Sequence, residues 1–367
     1  MMTFVIDLGL VTDTRRGMGV FILKISEGLS NIDFNYNLIF IYNKNCSIPI
    51  IDKLKENFNS KKNVSFTYSP FNHILTEQLF LPIYFLFNSK FKLISSGDSS
   101  PILMRKSKII LLLHDLYFFK GQLLYKKSSI PLKKKIGALY RRICIKRFIG
   151  SKGVSIITVS NFMKNDICDF MNVQKSNVEV VPNGIDIEDF QYDDNPSKKG
   201  LVLITGKDPQ KNLKGFLYSL QLLPKSILSK LYSVTVVGVN YEDIKFDLPK
   251  FHIPLIFKGY MNHSSVKNIL SKSSFFALPS FYESFGIPGL EALLFKCKVS
   301  ASNTGALREV LGDCAFYFNP QNEKSIAKSI TEMVKSKALN NTDVLKQISP
   351  YDWKKSSIKL NKFLNKI

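Results

Sequence analysis

Short apolar runs alternate with stretches of helical period from one end of this chain to the other, which is the pattern of βα units wound around parallel sheets. In the first half the spacing predicts strands over residues 4–8, 38–42, 64–67, 92–95, 109–113, 155–159 and 178–181, with helices between them such as 20–29 and 132–148. A second series predicts strands over 201–205, 234–237, 253–257, 275–278, 299–301 and 315–318, so two sheets are expected rather than one. The break between the series is polar, carries Pro196 and has no apolar period. The expected organisation is therefore an N-terminal domain over 1–190, a linker over 191–199, a C-terminal domain over 200–350 and a last helix over 351–367 built on Trp353, Ile358, Leu360, Phe363 and Leu364.

Length agrees, since 367 residues make about two domains, each large enough to bury its own core. The chain carries a formal charge of +22, and no apolar run in it is long enough to span a bilayer. The run 79–87, interrupted by Pro82, is read as a buried helix in preference to a shallow membrane contact. The opening residues lack the basic head and apolar middle of an export signal. The five cysteines (Cys46, Cys144, Cys168, Cys297, Cys314) form no C-x-x-C pair. Reduced thiols in a cytoplasmic protein are the expectation.

The most specific segment is 279–320. A turn carrying Glu283, Ser284, Phe285 and Gly286 follows the strand at 275–278 and leads into a helix near Ile287–Pro288, where proline suits the first turn. A helix N-terminus at the C-terminal end of a parallel strand offers free N–H groups and partial positive charge, which suits a phosphate or diphosphate. Glu291 lies eight residues beyond Glu283, about one turn into the helix. Two carboxylates flanking such a cradle can accept hydroxyl groups of the sugar and ribose on either side of it. Taken alone, each also reads as a solvated surface acid.

Here the sequence resembles glycosyltransferase family 4, the group 1 transferases of GT-B fold, which use nucleotide-sugar donors and retain anomeric configuration. The resemblance runs over nearly the whole chain. It implies two Rossmann-like α/β domains with an interdomain cleft and a C-terminal helix crossing back to the first domain. The family's Glu, seven residues, Glu motif is matched by Glu283 and Glu291 with Ser-Phe-Gly-Ile-Pro-Gly-Leu between them. By that match Glu283 holds the donor sugar, Ser284, Phe285, Gly286 and Ile287 its sugar and phosphate, and Glu291 the ribose. A second matching segment, 205–216, is TGKDPQKNLKGF, which opens a helix near Asn212. It implies that Lys211 neutralises the diphosphate. Gln210 stands where the family commonly has Arg, and Lys207 is nominated as the second cation. Lys296 likewise replaces a usual glycine after the second acid.

In the first half, Arg15-Arg16-Gly17-Met18-Gly19 forms a glycine-rich turn after the first strand, where backbone N–H groups at Gly17 and Gly19 can approach an anion. His114 and Asp115 end a strand, and the resemblance places that histidine near the transferred sugar. Further matches at 158–161 and 181–186 occupy strand-end turns.

Fixed N–H groups and lysines can stabilise a departing diphosphate without a metal. With no Asp-x-Asp motif and four scattered histidines, the sequence points to neither metal nor cofactor. The resemblance implies front-face attack by the acceptor, catalysis resting on His114, Glu283 and Lys211, and, with mannose slightly favoured, assembly of a bacterial surface polysaccharide (O-antigen or capsule) on a lipid-linked acceptor. A nucleotide-sugar enzyme of another reaction type, or a non-catalytic basic binding protein, is the alternative.

Residues 101–150 hold thirteen Lys and Arg against one acid, Asp115. Leu132, Ile136, Leu139, Ile143 and Phe148 recur near helical spacing, predicting a helix that rests its apolar face on the core and shows its basic face outward. An anionic membrane is favoured as the partner of that face, ahead of a merely solvated surface and ahead of nucleic acid, for which no recognition motif accompanies the charge. The expected location is cytoplasmic, peripheral on the inner face of the plasma membrane.

Overall fold

A computed structural model describes residues 1–13, 17–88, 90–124, 132–151, 153–190, 197–244, 248 and 250–367. Arg15, Arg16, Lys126, Lys127 and most of the expected linker, Pro196 included, lie outside the described residues, as do the side chains of Leu132 and Lys133. The chain divides into two compact units, one built from Met1–Leu123, Ser129–Gly184 and Trp353–Ile367, the other on Ile185–Asp352.

The first unit holds a parallel seven-stranded sheet of β1 (Thr3–Asp7), β2 (Asn37–Asn43), β3 (Val64–Ser69), β4 (Phe91–Ser95), β5 (Ile109–Leu112), β6 (Ser155–Thr158) and β7 (Val178–Val180), in the order β3-β2-β1-β4-β5-β6-β7. Burial on both faces explains why these strands read as continuous apolar runs rather than as alternating ones; β1 and β5 are buried at every residue. The second unit repeats the design with β8 (Leu201–Ile204), β9 (Val234–Val237), β10 (Leu255–Phe257), β11 (Phe275–Leu278), β12 (Lys298–Ser302) and β13 (Ala315–Phe318), in the order β10-β9-β8-β11-β12-β13. In each sheet the order reverses beside the first strand, between β1 and β4 and between β8 and β11. Ligands of open α/β sheets bind beyond the carboxyl ends of strands at such a switch point.

The last helix, Trp353–Leu364, belongs to the first unit, where it packs on the helix Gly17–Ser30. The Ser357 hydroxyl donates to the Ile25 carbonyl at 3.2 Å, and Tyr36 donates its hydroxyl proton to Asn361 at 3.0 Å. The division between units falls after Gly184. Beyond it the Ile185 N–H donates to Tyr351 at 2.8 Å, and Lys267 pairs with Asp186 and Asp189.

Two expectations need correction. The run 79–87 is not buried: a π-turn at Thr76–Phe80 leads into the helix Leu81–Leu86, and only Leu81 and Phe85 of that helix face inward. A π-turn adds a residue to the helical period and so shifts the apolar phase, and Leu79, Ile83, Leu86 and Phe87 are exposed. The helix Leu132–Phe148 has the expected bounds, but of the described members of its expected apolar stripe only Phe148 docks. It meets the core through Cys144, Ile145 and Phe148, while Ile136, Leu139 and Ile143 are exposed. Position 144 follows 143 by about 100° of helical turn, so an apolar stripe read from 136, 139 and 143 points away from the face that docks.

Candidate active site

The site grows from the switch point of the second sheet. After β8 the chain turns through Pro209–Lys211, and Asn212, in the left-handed conformation at φ 50°, starts the helix Leu213–Leu220. After β11 it runs through Tyr282, Glu283 and Ser284 to the helix Ile287–Leu294. Gly286, at the N-cap of that helix, has φ 96°, and a Cβ there would sit 2.4 Å from Leu307. Only glycine fits this corner. No side chain caps the helix, whose first turn contains Pro288. Its leading N–H groups therefore keep the partial positive charge that suits an anion.

The two turns are stitched together. Gln210 donates its side-chain amide to the Tyr282 carbonyl at 2.6 Å, and the Phe281 N–H donates to the Gln210 carbonyl at 2.8 Å. Where the family commonly has a cation, this chain has a structural tie. It fixes Lys211, whose ammonium donates to Glu283 Oε1 at 2.7 Å. The Glu283 carbonyl is itself held by the Ala306 N–H at 2.9 Å. Phe285 is buried, its ring edge-on to Tyr351 at 5.3 Å.

Glu291 lies in the second turn of its helix, and its Oε1 is 2.6 Å from His263 Nε2. Lys207 pairs with Asp243 at 2.7 Å and is brought to neither Glu283 nor Glu291. Three contributors had no signal in the sequence. His263, the first residue of the helix His263–Ser271, meets Glu291 only through packing of the two helices. The hydroxyls of Thr205 and Ser280, one residue past β8 and two past β11, are buried without a hydrogen-bond partner. Such orphan groups at a switch point fit a polar ligand. Lys296, at the position where glycine is common, adopts φ 55°, a conformation that costs a side-chain-bearing residue about 1–2 kcal/mol.

In the first unit, His114 follows β5 and is buried, with neither ring nitrogen hydrogen-bonded. Burial lowers its pKa to about 4, so the imidazole is neutral near pH 7. The backbone N–H of His114 donates to Asp98 Oδ1 at 2.6 Å. Burial and the neighbouring Asp115 push the Asp98 carboxyl well above the usual range. Asp115 accepts the Tyr117 N–H at 2.9 Å and so caps the helix Tyr117–Leu124. Gly17 faces open space, whereas a Cβ on Gly19 would lie 2.3 Å from the Leu10 carbonyl oxygen.

Two Rossmann-like units with C-terminal strand ends carrying such groups define the GT-B fold. Solved structures share it: HepE of Anabaena in complex with UDP-glucose matches with a TM-score of 0.65 over 100% of both chains at 13% identity. Sucrose-phosphate synthase of Thermosynechococcus elongatus matches at 0.63 over 100% of this chain and 99% of that one, at 12% identity. Residues 186–349 match the family described as "Glycosyl transferases group 1", and residues 60–189 match "Glycosyltransferase Family 4". The chain belongs to the group 1, family 4 glycosyltransferases. Among curated proteins, the O-antigen chain mannosyltransferase RfbU of Salmonella typhimurium is 28% identical over 182 residues, 48% of this chain and 49% of that one. The O-antigen chain mannosyltransferase B of Escherichia coli is 26% identical over 200 residues, 48% and 50% of the two chains. The chain thus spans about half the length of the curated relatives it matches.

Proposed function

We propose that this protein transfers a hexose, mannose by preference, from a nucleotide-sugar to a lipid-linked glycan, with retention of configuration, during assembly of a bacterial surface polysaccharide. The observation that carries the reading is the Lys211–Glu283 pair at 2.7 Å beside the uncapped helix at Ile287. This places a cation, a carboxylate and a set of N–H groups at one strand edge. Lys211 and the N–H groups of Gly286 and Ile287 stabilise the charge that grows on the departing diphosphate, so the chain's own groups supply what a metal would otherwise supply. Glu283 accepts hydroxyls of the transferred sugar, and Glu291, steadied by His263, accepts those of the ribose. Ser284 and Phe285 shape the floor of the donor site, and Lys207, held by Asp243, remains outside it.

In the first unit, His114, Asp115, Gly17 and Gly19 serve the acceptor. Neither nitrogen of the neutral, buried imidazole has a hydrogen-bond partner within the protein, which supports a part in meeting sugar hydroxyls. The acceptor oxygen bonds to the anomeric carbon on the face from which the diphosphate oxygen leaves, and its proton passes to that phosphate oxygen. The mannosyltransferase relatives support the sugar and pathway. The basic stretch 101–150 supports a location on an anionic cytoplasmic membrane face, where a lipid-linked acceptor would be met. Among the described residues no helix is long and apolar enough to cross a membrane.

The test is transfer from radiolabelled GDP-mannose, and from UDP-, ADP- and dTDP-sugars in parallel, into a lipid-linked acceptor fraction, with the anomer of the product read by NMR. Label entering lipid with the donor's configuration is expected. An inverted product, or release of free sugar alone, contradicts the reading.

A further inference from the structure

An exposed apolar face on the first unit has no role in the chemistry above. On the segment after β3, Leu79, Ile83, Leu86 and Phe87 lie on the side opposite the buried Leu81 and Phe85, with Leu86 77% and Phe87 84% exposed. On the helix Leu132–Phe148, Ile136, Leu139 and Ile143 recur at helical spacing and are exposed as well. The two segments are tied at Gln78, in the π-turn that leads into the first helix. Its amide donates to Tyr140 at 2.8 Å and to the Ser100 carbonyl at 3.2 Å, and its oxygen accepts the Ile102 N–H at 3.0 Å. Next in sequence stands Leu103, 80% exposed. Isolated surface leucines are ordinary, but a grouping of this kind on adjoining elements marks a docking surface.

The charge around it names the occupant. Arg105, Lys106, Lys134, Lys135, Lys146 and Arg147 are exposed on the same elements. The one acid of residues 101–150, Asp115, is engaged in capping its helix. Apolar side chains flanked by lysine and arginine, with the acid of the same segment, Glu77, buried and bonded to Tyr140, complement a layer of anionic headgroups over acyl chains. Both helices are too short to span the layer, so they lie in it.

We propose that this face inserts into an anionic bilayer as a shallow wedge, with Leu86, Phe87 and Leu103 among the acyl chains and the basic residues on the lipid phosphates. This deepens the membrane contact proposed above, on which it rests for the choice of an anionic layer. It differs from that contact in one respect: part of the binding is apolar and therefore survives salt, which screens surface charge.

The experiment uses the full chain and vesicles of phosphatidylcholine with or without phosphatidylglycerol. Flotation is read at about 0.1 and about 1 M salt, which spans weak and strong screening. Binding to the anionic vesicles is expected to persist in part at high salt. The double variant Leu86→Ser, Phe87→Ser is expected to weaken it by about tenfold or more, as follows from losing two large apolar side chains from a lipid contact. Both residues are exposed, so the variant folds. A Phe87→Trp variant supplies a depth reading, because the natural Trp353 is buried. Quenching of the introduced indole by lipids brominated on the acyl chain is expected. Salt-abolished binding that ignores the serine variant, with no quenching, overturns insertion and leaves headgroup docking standing. No binding to any vesicle overturns both. Self-association lost in the serine variant, without vesicle binding, assigns the face to a second copy of the chain and overturns the proposal. Nucleotide-sugar affinity, measured on the same samples, reports separately on the transferase reading.

Discussion

Lys211→Ala and Glu283→Ala are each expected to lower turnover by about a hundred- to a thousandfold, the usual effect of removing one group that meets developing charge in a transition state. The expectation follows from geometry: Lys211 and Glu283 share one bond at 2.7 Å, and Gln210 fixes the turn that presents the lysine. Because the two act as a unit, the double variant should cost far less than the product of the single losses. Their side chains are partly exposed, so the pair contributes little to folding. Thermal melting of both variants should stay close to that of the parent protein. Steady-state kinetics decide the matter, and a Lys211→Ala protein with unchanged turnover removes the lysine from the reaction.

Trp353→Ala is expected to destabilise the protein by about 3–5 kcal/mol, the range for deleting a large buried aromatic side chain. The indole lies 6.2 Å from the Phe21 ring. Gly184 presses against it so closely that a Cβ there would be 2.7 Å from the indole and 2.4 Å from the Trp353 nitrogen. The residue thus locks the first turn of the last helix onto the unit built from the opposite end of the chain. Urea unfolding measures the change. A loss below about 1 kcal/mol would mean that the site collapses around the vacancy and that the helix is held mainly by Ser357, Leu360 and Asn361.

Why was the fold so legible? Strands buried on both faces leave continuous apolar runs, and every strand among the described residues lies within a few residues of an apolar run in the sequence. Gly286 and Pro288 announced the helix start because few other residues tolerate those backbone positions. Glu283, Glu291 and Lys211 were visible because their spacing is set by two strand-to-helix turns. What stayed hidden depends on three-dimensional neighbours. His263 touches Glu291 across 28 residues of sequence, and the Thr205 and Ser280 hydroxyls matter because nothing meets them. Gln210 departs visibly from the family's usual arginine, but its role as a tie to Tyr282 depends on how the two turns pack together. The apolar stripe 136, 139, 143 misled for a related reason. Periodicity shows that a helix has an apolar face but not whether protein or something else covers it.

Calorimetric titration of the full chain with UDP-, GDP-, ADP- and dTDP-sugars, beside a Glu291→Ala control, reads the donor site without requiring an acceptor. One nucleotide class is expected to bind saturably and the control to bind it about tenfold more weakly or worse, the loss of a charge-assisted hydrogen bond to a ribose hydroxyl. Failure of every donor to bind, or equal binding by the Glu291→Ala protein, would contradict the donor-site assignment.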